Sequence, residues 1–224
     1  MNTMAPIASD KTTAASLLER WRRVPSAIVA DVSNGTCQID PAIRPLCPPG
    51  QQPKLFGKAL TVHCVPPDIG AVVRALDIAQ TGDVLVIAAD GHRVTAMIGA
   101  ILGGYLRSRG AAGLVCDGAI RDVEELAAWR DFSVFTRFIT PRGPTSFAHG
   151  EVNGTVAVGG RQISPGDIVI GDDDGLVSLT ADEATSMLEA AEMKLELEKQ
   201  WRMRLADGLS IVEALGLAPT GKAP

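Results

Sequence analysis

Apolar residues recur along this chain with two different periods. Short β-branched runs bounded by Gly, Asp and Pro predict strands at Gly57–Cys64, Val84–Ala89, Leu114–Cys116, Val134–Thr136, Thr155–Val158, Ile168–Ile170 and Leu176–Leu179. Between them the apolar positions return every three or four residues, which predicts helices. Thr12 or Thr13 caps a first helix through Arg23, stopped by Pro25, and Ser26 caps a short one, Ala27–Val32. Asp68 caps a helix through Ala79 whose face carries Val72, Val73 and Leu76. Val94, Met97, Ile98, Ile101, Leu102, Tyr105 and Leu106 predict an amphipathic helix that ends near Gly110. Val123–Trp129, Asp182–Leu205 and Ile211–Leu215 complete the set.

Strands alternate with helices, so the fold class is α/β, with the helices layered on a sheet. Gly82-Asp83-Val84-Leu85-Val86-Ile87 and Gly166-Asp167-Ile168-Val169-Ile170 both pair a Gly-Asp turn with a β-rich run, as two units of one sheet would. Residues 40–53 carry five prolines (Pro41, Pro45, Pro48, Pro49, Pro53) and read as a connecting loop with short extended pieces. No low-complexity linker divides the chain. Residues 1–224 are therefore one domain, with an N-terminal helix within 1–25 and a C-terminal helical arm over 182–216. In the arm, Ala184, Met187, Leu188, Ala191 and Leu195 form one stripe, and an arm this long is suited to packing on a neighbouring subunit. Residues 1–11 and 218–224 read as frayed ends.

Composition narrows the function classes. The net charge is -5 and no Lys/Arg cluster stands out, which argues against a nucleic-acid surface. Tyr105 is the one tyrosine, so base-stacking platforms are not expected. No apolar run reaches the roughly 20 residues of a membrane span, and Met1–Asp10 has no signal-peptide core. Cys37, Cys47, Cys64 and Cys116 form no CxxC pair and no Cys/His cluster, so buried reduced thiols in a cytoplasmic protein are the expectation.

The candidate chemistry sits at Val115-Cys116-Asp117-Gly118-Ala119-Ile120-Arg121-Asp122, where a guanidinium and a carboxylate follow an apolar run. A strand feeds a helix there, a common place for a site on an α/β scaffold. Arg121 and Asp122 together suit a metal-bound oxo-acid. Gly99, Gly103 and Gly104 are each costly in a helix, by about 1 kcal/mol relative to alanine, and imply close approach by a ligand or a packed neighbour. A helix starting near Gly99 instead would place the Ala100, Ile101 and Leu102 amides at the mouth of a site, where a helix N-terminus attracts an anion.

From Gly99 to Asp122, with Gly110-Ala111-Ala112-Gly113-Leu114-Val115-Cys116-Asp117-Gly118-Ala119-Ile120-Arg121-Asp122 at its heart, the chain resembles the RraA-like family. The likeness runs from Val29-Ala30-Asp31-Val32-Ser33-Asn34-Gly35 through Gly57–Val62, Pro165-Gly166-Asp167 and Asp174-Gly175 to the C-terminal helix. That family holds class II 4-hydroxy-4-methyl-2-oxoglutarate/4-carboxy-4-hydroxy-2-oxoadipate aldolases and regulators of ribonuclease activity. The resemblance implies a layered α/β/α fold of the swivelling type, in a homotrimer or homohexamer with the site between subunits. It implies that Asp122 holds Mg²⁺ or Mn²⁺ largely through waters, joined by Glu198 of a neighbouring subunit's helix. It implies that Arg121 binds the 2-oxo oxygen of a small 2-oxo acid, while the Gly99–Leu102 turn receives the carboxylate on the Ile101 and Leu102 amides. The implied reaction is lysis of a 4-hydroxy-2-oxo acid to pyruvate, with oxaloacetate decarboxylation at the same site. One position departs from the pattern. The aldolases carry an aspartate twenty-one residues before the arginine, where this chain has Ala100. His92, Asp90 or a residue of another subunit is the candidate replacement for its proton-handling role, His92 because imidazole titrates in the right range. Ala100 also fits a relative with altered chemistry on an oxo- or hydroxy-acid, or a non-catalytic regulator that binds a ribonuclease or an RNA helicase.

Overall fold

Residues 16–217 are described by the computed structural model, so the Thr12 or Thr13 cap lies outside the described residues. Helical residues 16–21 lead to Pro25 and α1 (Ser26–Val32). There follow β1 (Arg44–Pro45), β2 (Leu55–His63), α2 (Gly70–Ile78), β3 (Asp83–Ala88), β4 (Ala96–Ile98), α3 (Ala100–Ser108), β5 (Gly113–Ile120), α4 (Val123–Ala128) and β6 (Ser133–Ile139). The second half holds β7 (Glu151–Val152), β8 (Val156–Val158), β9 (Arg161–Ile163), β10 (Ile168–Asp172), β11 (Gly175–Leu179), α5 (Ala181–Ala206) and α6 (Ile211–Leu215).

The main sheet has the order β1-β6-β5-β3-β2-β10-β11, with β4 added to β5 and β7 to β2. Strands β2, β3, β5 and β6 are mutually parallel, and β10 joins β2 antiparallel. The two Gly-Asp units, β3 and β10, thus flank β2 on opposite sides. Gln38 bridges Val177 and the Ile39 amide donates to Leu176 O, a few residues before β1 joins the other edge. The sheet is therefore nearly closed on itself, which limits its open edges.

Both faces of this sheet are covered, so its central strands read as continuous apolar runs. In β3, Leu85 and Ile87 pack outward with α2, α3 and α4, while Val84, Val86 and Ala88 pack inward. The inner core adds Val115, Phe135 and Val169, and the β8–β9 hairpin closes it with Val156, Val158 and Ile163. A third cluster docks α1 and α5 on β10 and β11 through Ile28, Val29, Ala184, Leu188 and Ala191, with Trp21 donating from its indole to Ala184 O at 2.9 Å. The predicted stripe of α5 is the buried one. Beyond it Met193, Leu197, Met203 and Leu205 are exposed, so the helix does project as an arm. Among the described residues no helix is long and apolar enough to cross a membrane.

Four expectations need correction. The helix predicted from Val94 begins only at Ala100, because Ala96–Ile98 pairs with β5 as a strand and Gly99 is extended (φ -148°, ψ -166°). Positions 94, 97, 98 and 101 satisfy a helical period, but the outer core takes Met97 and Ile98 from a strand. Ser26 does not cap α1 with its side chain. Its amide and hydroxyl both donate to the Asp172 carboxylate, at 2.9 and 2.5 Å. Asp68 does accept the Gly70 amide, but α2 starts after Ile69, and most of that carboxylate's bonds go elsewhere. Strands β5 and β6 are longer than their apolar runs, since Asp117 within β5 accepts the Ala89 amide (2.6 Å) and is tolerated there.

Candidate active site

Strand β5 ends at Ile120, and the Arg121 amide donates to Ile98 O across the β4 pairing (3.1 Å). The next residue, Asp122, is left-handed (φ 57°, ψ 38°) at the N-cap of α4. Aspartate is among the few non-glycine residues that enter this region readily. The turn aims its carboxylate back at the start of α3, where Oδ2 accepts the Ala100 amide at 3.0 Å. A carboxylate on a helix's first turn is favoured by the helix dipole. Arg121 Nε lies 3.5 Å from the same oxygen, and both side chains remain about two-fifths exposed.

Gly99 lets this pair form. A Cβ there would stand 2.4 Å from Asp122 Oδ2 and 2.8 Å from Arg121 Cγ. The other glycines of the run serve packing: a Cβ on Gly103 would meet Leu126 at 3.1 Å, and one on Gly104 would touch Trp129 at 3.7 Å. The first helical bond of α3 runs from the Gly103 amide to Gly99 O. The Ile101 and Leu102 amides have no acceptor among the described residues. Two unpaired N–H groups at a helix start are suited to one carboxylate.

These groups share a pocket of about 280 Å³. Gly99, Ile101, Leu102, Arg121 and Asp122 line it, with Ile69, the β4 residues, Pro144 and Phe147. Pro144 and Phe147 carry no signal in the sequence that marks them as site residues. They belong to a loop held down by Asp68, whose carboxylate accepts from the Ser146 hydroxyl, the Ala148 and His149 amides and the Gly70 amide, with the His149 ring 3.0 Å away. Burial opposes charge on Asp68, but these bonds outweigh it and hold its carboxyl well below the usual range. Gly70 completes the clamp, since a Cβ there would run into the Phe147 backbone at 2.7 Å. Gly143 backs the arginine: a Cβ on it would stand 2.4 Å from Arg121 Nη1.

Other expected residues lie elsewhere. His92 is not brought to the pocket. Its Nε2 accepts the Thr95 amide at 3.0 Å, so the ring closes its own turn. Asp90 faces a different cavity, with His63 and Glu151. Ala100 is buried, and its amide is spent on Asp122. Glu198 is on α5, paired with Arg202 at 3.0 Å and outside this chain's pocket. Asp117, within the motif, is buried, and burial pushes its carboxyl up despite the Ala89 amide. All four cysteines are free and buried, and burial pushes the Cys64 thiol up to about 12.

Among the described residues no three His, Cys, Asp or Glu side chains converge as metal ligands. That does not fit a zinc cage, which needs several protein ligands. Asp122 has one oxygen without a protein partner among the described residues. A single carboxylate of this kind fits Mg²⁺ or Mn²⁺, hard cations that keep much of their water shell.

Comparison with known proteins adds to this geometry. The chain is 29% identical over 197 residues to a Halalkalibacterium halodurans protein named "Putative 4-hydroxy-4-methyl-2-oxoglutarate aldolase", covering 88% of this chain and 92% of that one. Its fold matches an uncharacterized Pseudomonas syringae protein (TM-score 0.79, 23% identity, 94% of this chain and 99% of that one). It also matches Streptomyces coelicolor RraAS2, described as an unusual member of the RNase ES inhibitor RraA family (TM-score 0.72, 28% identity, 84% and 98% coverage). The family model for RraA-like proteins (Aldolase/RraA) matches residues 26–178, and the chain belongs to that family.

Proposed function

We propose that this protein is a divalent-metal-dependent carbon–carbon lyase that releases pyruvate from a 4-hydroxy-2-oxo acid. The observation that carries this reading is the convergence of two unpaired amides, Arg121 and Asp122 on one pocket. The Ile101 and Leu102 amides take the substrate carboxylate. The Arg121 guanidinium faces the 2-oxo oxygen, where negative charge grows when the C3–C4 bond breaks. The bond's electron pair moves into the C2–C3 enolate, the C4 fragment leaves as a carbonyl compound, and C3 takes up a proton to give pyruvate. Asp122, with Glu198 of a neighbouring copy, would hold Mg²⁺ or Mn²⁺, which supplies Lewis-acid stabilisation of the developing enolate. With Ala100 in place of an acid, the 4-hydroxyl proton is left to water held at Asp122, the one carboxylate of the lining.

Decarboxylation of oxaloacetate yields the same enolate and removes no hydroxyl proton. Ala100 therefore bears on aldol cleavage and leaves the decarboxylase activity intact. The test is pyruvate release, coupled to lactate dehydrogenase, from several 4-hydroxy-2-oxo acids and oxaloacetate with Mg²⁺, Mn²⁺ or EDTA. Metal-dependent pyruvate release supports the reading. No release from any compound, with no metal binding by calorimetry, refutes it and leaves the ribonuclease-inhibitor role carried by the Streptomyces relative's family name.

A further inference from the structure

We infer that the group this site accepts at C4 is apolar, an alkyl or aryl substituent rather than a second carboxylate. This rests on the lyase reading above and specifies its substrate class. The carboxylate and 2-oxo end of the substrate is fixed by the Ile101 and Leu102 amides and by Arg121. Within this chain, whatever extends from C4 then meets the rest of the lining, chiefly Ile69, Met97, Pro144, Phe147 and the side chains of Ile101 and Leu102. None of these can donate a hydrogen bond to an anion.

The charge inventory points the same way. Among the described residues of this chain, Arg121 is the one cation of the lining, and it is already shared between Asp122 and the 2-oxo oxygen. Arg142 sits on the pocket-wall loop but is not among the residues that line the pocket, and Arg74, which props that loop, is spent on the Ala148, His149 and Gly150 carbonyls. The Ser146 hydroxyl of that loop donates to Asp68. A second substrate carboxylate would lose water here without gaining a partner, and it would sit near the Asp122 charge. An alkyl or phenyl group gains from the same wall, since Ile101 and Phe147 are 81% and 62% exposed and would be covered by it.

The test compares pyruvate release from 4-hydroxy-2-oxopentanoate and 4-hydroxy-2-oxo-4-phenylbutanoate with release from 4-hydroxy-4-methyl-2-oxoglutarate, with oxaloacetate as a control for the shared enolate chemistry. The expected result is kcat/KM at least about 10-fold higher for an apolar-substituted compound, carried mainly by KM. Ile101→Arg places a cation on the exposed rim without touching the core. It is expected to shift the preference toward the diacid by about 10-fold or more. A wild-type preference for the diacid overturns the inference while leaving the lyase reading standing. No pyruvate from any compound, oxaloacetate included, overturns both.

Discussion

Gly143→Ala separates the site from the fold. The added methyl would lie 2.4 Å from Arg121 Nη1 and 3.5 Å from Cζ, with no backbone atom as close. Carbon and nitrogen in van der Waals contact need about 3.5 Å, so the guanidinium must move by roughly 1 Å. It is the free end of a flexible chain, about two-fifths exposed, and Gly143 has no left-handed backbone to strain. Stability should therefore change by less than about 1 kcal/mol. A displacement of about 1 Å at a group that stabilises developing charge costs on the order of 100-fold in rate. The assay is kcat/KM for pyruvate release alongside calorimetric binding of oxalate, a planar mimic of the pyruvate enolate, with Tm measured on the same sample. The expected outcome is a Tm within a few degrees of the wild type, a loss of about 100-fold in kcat/KM and weakened oxalate binding. Unchanged kinetics and oxalate affinity at unchanged Tm would refute the placement of Arg121 at the reacting oxygen.

Further outcomes follow from the same structure. Asp122→Asn keeps a residue that tolerates the left-handed turn and can still accept the Ala100 amide, so calorimetry should show Mg²⁺ binding lost with little change in Tm. For Asp68→Asn, the native carboxyl lies below its unfolded value of about 3.9, so its stabilisation is complete above that pH and is lost as pH falls from there through the lower native value. The Tm gap between wild type and variant should close as the pH falls below about 4. Cys64, with its thiol near 12, is only about one part in ten thousand thiolate at pH 8, so a thiol reagent should label the native protein negligibly and the unfolded one fully. Ala100→Asp sets a second carboxylate beside Asp122, so its Tm should fall by a few degrees in EDTA and rise more with Mg²⁺ than the wild type's does.

What the sequence disclosed depended on how each element is punctuated. Strand β3 was legible because glycine turns bracket an apolar run buried on both faces. Strand β4 was not, since three residues cannot show a period and Val94, Met97, Ile98 and Ile101 match a helix as well as a strand. The two-residue strands β1 and β7 carry no pattern at all. Arg121 and Asp122 were visible because they are adjacent and follow a glycine-marked strand. The outer wall was not, because Pro144 and Phe147 reach the pocket through Asp68, some eighty positions earlier in the chain. Gly143 was silent for a related reason: its φ is ordinary, and only the approach of Arg121 from another loop demands a missing side chain.

The substitution at position 100 divides the site along a physical line. What residue 100 gives to binding is its main-chain amide, held on Asp122 Oδ2, and any residue other than proline can supply that. What an acid there would give to catalysis is a side chain. Replacing that acid by alanine leaves the turn, the two unpaired amides of α3 and the Asp122 geometry in place while removing one proton acceptor and one charge. The apolar wall of Ile69, Met97, Pro144 and Phe147 acts on the other end of the substrate. That wall disfavours a charged group at C4 and does not disturb the capture of a 2-oxo carboxylate. A chain with this pocket is better matched to a reaction in which the enolate is stabilised as before and the departing carbonyl fragment is hydrophobic.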